Sequence, residues 1–439
     1  MLSLLLGVRK CRGFHTARKL IQLASKKYSR YYSPGNNIRK TTALCTMVEI
    51  KEEMMRSYGL QPGYIQEPKS REELLKYQPK MEELPARSMQ DSFTSAIIPL
   101  SKDPVLQDKY INFRGFVRLG RLLEDMDYFA AWCCHRHLEL PNLPEGVPLP
   151  YTFVTILVDR IDFTDVSASG TQDIRLSGHV SWVGTSSMEV VVWLEQKVDE
   201  KYQKITRALF LMAARNATNT GAASVNPIQP ANEEEQEILA GGADRKKRRQ
   251  ILSAQSVFKV EPNAQEQSLI YEVYKRTSPI EHAGPLKRLL PPNCRWMKES
   301  VQTTTIASFP EHRNHHNTVF GGFLMRSALE ISWAAAFLYC KDRPKLKHIS
   351  DISFEKPVTV NSFIKMTAYV VYTNLNYVQI MTVADVLDPY TGKQVTANAF
   401  HYTFSAPDAV TEVLPRSYHE TMWYIHGRRK FLASKVDKS

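Results

Sequence analysis

The residues best able to do chemistry in this chain stand ahead of and inside two long apolar segments. The run His312-Arg313-Asn314-His315-His316-Asn317-Thr318-Val319-Phe320-Gly321-Gly322 opens one of them, Gly321–Cys340, which is apolar nearly all round and reads as a buried helix. Two glycines at a helix start let a ligand approach backbone N–H groups that have no intrahelical partner. Those groups and the helix dipole would polarise a carbonyl and hold a developing oxyanion. The only charges in this helix are Arg326 and Glu330, spaced to pair across one turn. The other segment, 120–138, carries Glu124 and Asp125, which the dipole of the first turns explains. Asp127 is not explained that way. It lies about two turns in, on the face of Leu123, Ala130, Ala131 and Cys134, where a carboxylate is costly without partners or a task.

The elements that must position these residues occur in the same order twice. In the first set, strand-like 93–100 precedes the helix 120–138, and strands follow at 152–163, 173–183, 188–196 and 204–215. In the second, 303–309 precedes Gly321–Cys340, and strands follow at 346–354, 363–372, 377–385 and 394–404. Residues 174–214 overlay 364–404 at a constant offset of 190 with no gap: Ile174 meets Ile364, Val180 meets Val370, Thr206 meets Thr396 and Phe210 meets Phe400. The pattern predicts an α+β fold built from a duplicated unit of about 130 residues. Boundaries fall at 87–216 for the first unit and 291–406 for the second. A charged helical extension, 49–86, precedes them, in which Ser70 and Glu73 fit a capping box. A helical tail, 407–439, follows, centred on 418–425. The intervening 217–290 reads as a solvated linker whose block Glu233-Glu234-Glu235-Gln236-Glu237 pairs with Arg245-Lys246-Lys247-Arg248-Arg249.

Charge distribution narrows the function classes. The 439 residues carry a net +12, but no acidic residue precedes Glu49, and ten cations before it leave only +2 for the rest. The basic character therefore belongs to the N-terminus and gives no warrant for a nucleic-acid-binding body. Residues 1–48, basic, acid-free and rich in Ser, Thr and Leu, have the composition of a mitochondrial transit peptide, with cleavage expected after Tyr32. No apolar run reaches the roughly 18–20 residues of a membrane span. The six cysteines form no C-x-x-C pair, which fits a reducing compartment such as the matrix. Cys133, Cys134, His135 and His137 invite a metal reading, joined by His312, His315 and His316, but no separated pair of ligand pairs appears. No metal and no cofactor are expected. A G-x-S-x-G elbow, a G-x-G-x-x-G turn and a Walker loop are all absent.

The H-x-N-H-H…F-G-G segment followed by an acidic helix residue resembles the hotdog-fold acyl-CoA thioesterases. The duplication and the N-terminal address together resemble the mitochondrial double-hotdog members of that family, over about 87–406. The resemblance implies two tandem hotdog domains, each a long helix wrapped by a curved antiparallel sheet. It also implies about ten strands in one extended sheet, both helices on one side, and a homo-oligomer, a trimer of such pairs. In the family's motif the helix carboxylate falls seven residues after the second glycine. From Gly120 that offset lands on Asp127; from Gly322 it lands on Leu329, with Glu330 one further. The first unit has Leu119-Gly120 where the family has Gly-Gly. The resemblance thus implies a site in which Asn314 and the Gly321-Gly322 turn of one unit face Asp127 of the other. His315, His316, Phe320 and Gly321 would contact substrate. The reciprocal site, Glu330 facing Asn112 and Arg114, departs from the pattern. The implied reaction is hydrolysis of fatty acyl-CoA to fatty acid and coenzyme A, with Asp127 as general base on water or as nucleophile through an anhydride. Two other readings stay open, an enoyl-CoA hydratase and a non-catalytic acyl-CoA sensor or scaffold.

Overall fold

The computed structural model describes residues 45–60, 70–164, 168–198, 201–254, 256–257, 259–278, 288–312, 314, 318–354 and 356–434. The N-terminal basic segment up to residue 44, with the Tyr32 cleavage point, lies outside the described residues, as do His315 and His316. Valine-, isoleucine- and aromatic-rich runs form ten main strands, in chain order β1 (Thr94–Ile98), β2 (Tyr151–Val158), β3 (Ile174–Val183), β4 (Ser187–Val198), β5 (Lys201–Asn216), β6 (Gln302–Ala307), β7 (Lys345–Ile349), β8 (Phe363–Asn374), β9 (Tyr377–Leu387) and β10 (Gln394–Ser405). Their order in space is β1-β3-β4-β5-β2 in one half and β6-β8-β9-β10-β7 in the other, with antiparallel pairing throughout.

The two halves join through β2 and β7. Past Val158 the chain continues as Ile161–Asp162, which pairs with β7; past Ile349 it continues as Ile352–Ser353, which pairs with β2. Val158 opposes Ile352 and Ile161 opposes Ile349, while the N–H of Phe163 donates to Lys347 O and that of Phe354 to Ile156 O, each at 3.0 Å. All four pairs share one antiparallel register, so ten strands run edge to edge. That register sets Arg160 opposite Ser350, which are 190 apart in sequence, the offset already found between the sheets. Strand irregularities repeat at the same offset: the ladders shift between Val180 and Trp182 and between Leu194 and Glu195, and again between Val370 and Tyr372 and between Ala384 and Asp385.

Each half wraps a central helix, Leu119–His137 or Gly321–Cys340, which buries Leu122, Met126, Phe129 and Cys133, or Leu324, Met325, Ala328 and Ala336, against its own sheet. The helices pack against each other on the same side of the strands. Between Gly120 and Gly322 the offset is 202 rather than 190. The first half absorbs most of the difference in the longer connection 138–150, against 341–344 in the second.

Two local expectations fail. Residues 70–77 do not form an α-helix capped by Ser70; Glu72–Tyr77 is a 3₁₀ turn, and Ser70 Oγ accepts only from Glu72 N–H, at 3.4 Å. The capping boxes lie at Thr46–Glu49, Ser88–Asp91 and Asn263–Glu266 instead. The segment expected as a solvated linker contains the helices Glu233–Ala254 and Ala264–Thr277, and its Arg-rich block turns to carboxylates of the first half. Arg245 and Arg249 reach Glu189 at 2.6 and 3.0 Å, and Arg248 reaches Asp159 at 2.8 Å. Glu189 and Asp159 are buried carboxylates, and burial without cations would be costly. Glu235, also buried, accepts from Ala231 N–H at 2.9 Å and Met89 N–H at 3.3 Å.

Candidate active site

The two central helices lie with their N-terminal halves side by side. A Cβ on Gly120 would stand 3.2 Å from Arg326, and one on Gly322 would stand 3.0 Å from the Cα of Glu124. Each helix start therefore sits beside the second turn of the other, and the helices run antiparallel. Arg326 crosses this interface to Glu124 at 2.8 Å, and Arg121 meets the same carboxylate at 3.1 Å. The Arg326–Glu330 pair read from sequence does not form; Glu330 turns to Arg118 of the facing half. Asp125 is likewise no mere dipole partner: it is buried, accepts from Tyr110 Oη and pairs with Lys51 at 2.7 Å.

Asp127 occupies the point where the second helix begins. It is 5% exposed. Its Oδ2 accepts from the Gly322 N–H at 2.8 Å, and its Oδ1 accepts from Thr155 Oγ at 2.6 Å. Burial pushes the carboxyl up to about 6, working against the two hydrogen bonds and aided by the charge of Glu124. A carboxyl so placed is ionised at neutral pH yet basic enough to take a proton. The lack of a side chain at position 322 is dictated by this contact, since a Cβ would lie 3.0 Å from Asp127 Cβ and 3.1 Å from its Oδ2. Gly321 is constrained from the other side by the Phe354 ring, 3.2 Å from where a Cβ would stand. Phe320 packs at a tilt against Tyr128, the residue after Asp127, with 4.5 Å between ring centroids. The sequence-derived set Asp127, Phe320, Gly321 and Gly322 thus converges across the interface of the halves. One expectation changes in form: the Gly322 N–H points at the carboxylate rather than into open space.

Asn314 is fixed by its own loop. Its N–H donates to Thr318 O at 2.8 Å, and its Oδ1 accepts from Thr318 N–H at 3.2 Å. His312, two residues before, lies against Phe323 at 4.1 Å between ring centroids, and burial lowers its pKa. The first half repeats this loop 202 residues earlier: Asn112 N–H donates to Phe116 O at 2.9 Å, and Asn112 Oδ1 accepts from Phe116 N–H at 3.3 Å. The carboxylate is what the reciprocal position lacks. Leu329 stands 202 residues after Asp127 and is buried, and Glu330 is spent on Arg118. Both partners of that pair are about a third exposed or more. Glu330→Gln should therefore leave kcat within about threefold and cost no more than about 0.5 kcal/mol in urea unfolding. Loss of activity in that variant would invert the assignment of the two positions.

Thr155 is the residue sequence reasoning missed. It lies where the β2–β5 ladder shifts between Thr155 and Leu157, and the bulge turns its hydroxyl onto Asp127. Nothing in the run Tyr-Thr-Phe-Val-Thr-Ile-Leu-Val marks Thr155 over Thr152. Its hydrogen bond holds the Asp127 pKa down. Thr155→Val is expected to move the acid limb of the kcat–pH profile upward and to lower kcat about tenfold at pH 7. An unshifted limb would mean that the hydroxyl does not tune the carboxylate.

The candidate metal ligands are engaged otherwise. Cys133 and Cys134 are buried thiols with raised pKa, His135 lies flat against Trp132 at 4.9 Å, and His137 Nε2 is 3.0 Å from Asn226 O. Among the described residues no three His, Cys, Asp or Glu side chains converge on one point. No helix there is long and apolar enough to cross a membrane.

Comparison with known proteins places these features in company. The chain is similar to mitochondrial acyl-coenzyme A thioesterase 9 of Mus musculus, 37% identical over 87% of this chain and 88% of that protein. It is similar to its Homo sapiens counterpart at 38% identity over 79% of each. Among solved structures, an oleoyl thioesterase (putative) from Lactobacillus plantarum aligns over 72% of this chain and 96% of that one at 9% identity, with a TM-score of 0.41. No family model matches the chain.

Proposed function

The chain belongs to the acyl-coenzyme A thioesterases, and on that premise we propose that its two halves share one working site, with Asp127 as its base. The reaction is hydrolysis of a fatty acyl-CoA thioester to free acid and coenzyme A. The observation that carries the site is the meeting of Asp127 with Gly322 N–H at 2.8 Å, a buried carboxylate set against a helix start. The first-turn N–H groups beside Gly322 and the positive end of the helix dipole polarise the thioester carbonyl. Asp127 takes a proton from a water as its oxygen attacks the carbonyl carbon. The tetrahedral oxyanion collapses with cleavage of the C–S bond, and Asp127 returns the proton to the leaving thiolate. Both carboxylate oxygens are tethered, by Thr155 and by Gly322, which suits a group that moves a proton while staying in place. Asn314 orients the water or the thioester, Phe320 and Gly321 line the approach, and substrate contact by His315 and His316 rests on the resemblance alone. No cofactor is called for beyond the coenzyme A that the substrate carries.

The shared strand order and the recurring 190-residue offset support an origin by duplication. The mitochondrial names of both relatives and the acid-free basic N-terminus support import to the matrix. A trimer of such chains is the assembly the resemblance implies; a monomeric mass in sedimentation would remove it. The test of the activity is release of free thiol from acyl-CoA over a series of chain lengths, which an enoyl-CoA hydratase or a binding scaffold does not produce.

A further inference from the structure

The helix Met47–Ser57 of the N-terminal extension lies outside both repeated units, yet one of its side chains reaches the helix that carries the base. The extension is docked at both ends. Cys45 and Thr46 pair with Ala96 and Ile97 of β1, and Ser57 O accepts from Leu149 N–H at 2.9 Å. Met47, Ile50 and Met54 are buried in the core. Beside them, Lys51 Nζ meets Asp125, two residues before Asp127, at 2.7 Å. The same Nζ stands 4.7 Å from the centroid of the Tyr128 ring, and that ring lies 4.5 Å from Phe320, the residue before the glycine turn. A line of contacts thus runs from the extension to the start of the second central helix without passing through Asp127.

The reciprocal crossing has the same two positions in contact with different chemistry. At the offset of 202, Phe320 answers to Arg118, Tyr128 to Glu330 and Asp125 to Ser327. Arg118 and Glu330 form an ion pair, where Phe320 and Tyr128 form a ring contact. One crossing is latched by opposite charges, the other by two rings with an ammonium over one of them. The rings and their cation accompany Asp127; the ion pair accompanies Leu329. Lys51 has one evident structural task, because the Asp125 side chain is only 3% exposed and a carboxylate so buried needs a cation. Tied to Asp125, the ammonium is also a fixed charge. A fixed cation over a ring face restrains the ring, here the one that packs against Phe320.

We propose that Lys51 is a positioning residue of the hydrolytic site: through Tyr128 and Phe320 it holds the Gly321-Gly322 turn against Asp127, which makes the N-terminal extension part of the working enzyme. The inference rests on the thioesterase reading and adds to it a residue from outside the two repeated units. Small displacements of a helix start relative to the base are costly, since a shift of about 1 Å can slow a reaction about 10²-fold.

The experiment measures kcat, KM and urea unfolding in the full chain for Lys51→Met, Lys51→Gln, Lys51→Arg, Tyr128→Leu and the pair Lys51→Met/Tyr128→Leu. Lys51→Met should lower kcat about tenfold and leave KM within about twofold, because alignment rather than affinity is lost. Lys51→Gln leaves Asp125 a donor but takes the charge off Tyr128. It should be as slow as Lys51→Met, and it decides the matter if that variant does not fold. Lys51→Arg keeps a cation for both Asp125 and the ring and should restore most of the rate. The pair should be no slower than the slower single variant, since both changes act through one contact. Stability lost with kcat unchanged overturns the proposal and leaves Lys51 only as the partner of Asp125. So does full activity in Lys51→Gln, or losses that multiply in the pair. Hydrogen exchange of the peptide containing Gly321 and Gly322, read by mass spectrometry, tests the same contact without substrate. Exchange should quicken in Lys51→Met and Lys51→Gln and return toward the wild-type rate in Lys51→Arg. If the wild type cleaves no thioester, the thioesterase reading fails and exchange alone judges Lys51: quickened exchange sustains its hold on the turn, and unaltered exchange overturns it.

Discussion

Asp127→Asn is expected to lower kcat for acyl-CoA hydrolysis by about 10²-fold or more and, at neutral pH, to make the protein more stable. The first effect follows from removing the group that takes the proton while its size and most of its hydrogen bonding remain. The second follows from the direction of its pKa. Burial raises the folded-state value from 3.8 to about 6, so the fold favours the protonated carboxyl. That favourable contribution is complete below pH 4 and is lost as pH rises through about 6; above it the buried charge burdens the native state. The rise from 3.8 to about 6 corresponds to about 3 kcal/mol at pH 7. An asparagine, which carries no charge, escapes that burden. The gain in urea-unfolding free energy should therefore be near zero at pH 4 and reach a few kcal/mol at pH 7. The same titration sets the activity of the wild type, whose kcat/KM should fall below pH 6 as the base is protonated. A variant that keeps turnover within threefold, or whose stability gain does not grow with pH, would falsify the role given to Asp127.

Asn314→Ala belongs to the same test. If Asn314 and Asp127 act on one substrate, the double variant should be little slower than the slower single one, because residues acting as a unit are not additive. Independent, multiplying losses would place them in separate sites.

What the sequence disclosed and what it withheld divide along physical lines. The helices, the strand order and the exposed-to-buried patterning were legible because they depend on period and on local composition. Asp127 was legible because a carboxylate on an apolar helix face is an anomaly wherever the helix packs. The partners of the charged residues were not. Arg326 and Glu330 have the spacing of an intrahelical pair, yet the antiparallel crossing offers each a better partner in the other half, Glu124 and Arg118. The Glu-rich and Arg-rich blocks of Glu233–Ala254 read as partners for the same local reason. The Arg-rich block turns elsewhere because Glu189 and Asp159 lie buried in the first half and take Arg245, Arg248 and Arg249. Thr155 was invisible because its aim depends on a bulge, and a bulge is a property of two paired strands rather than of one.

The glycine at the helix start supplies the other large effect. Gly322→Ala should reduce kcat by about 10²-fold and destabilise the fold by about 1–3 kcal/mol. Alanine is the better helix former by up to about 1 kcal/mol, so intrinsic propensity alone predicts a gain. Contact decides otherwise. The added methyl would lie 3.0 Å from the Cβ of Asp127, 3.1 Å from its Oδ2 and 3.0 Å from the Cα of Glu124, and the last of these is backbone that cannot swing aside. Relief requires the two helices to separate or Asp127 to leave the Gly322 N–H, and either motion spoils the alignment of base and helix start. Gly120→Ala is the matched control, because its methyl would meet Arg326 and Glu330 at 3.2 and 3.4 Å, at the same crossing but away from the base. It should cost comparable stability and much less turnover. Should both variants lose kcat alike, the effect of Gly322 is general helix packing. Should Gly322→Ala alone lose it, the close approach of that backbone to Asp127 is what turnover requires.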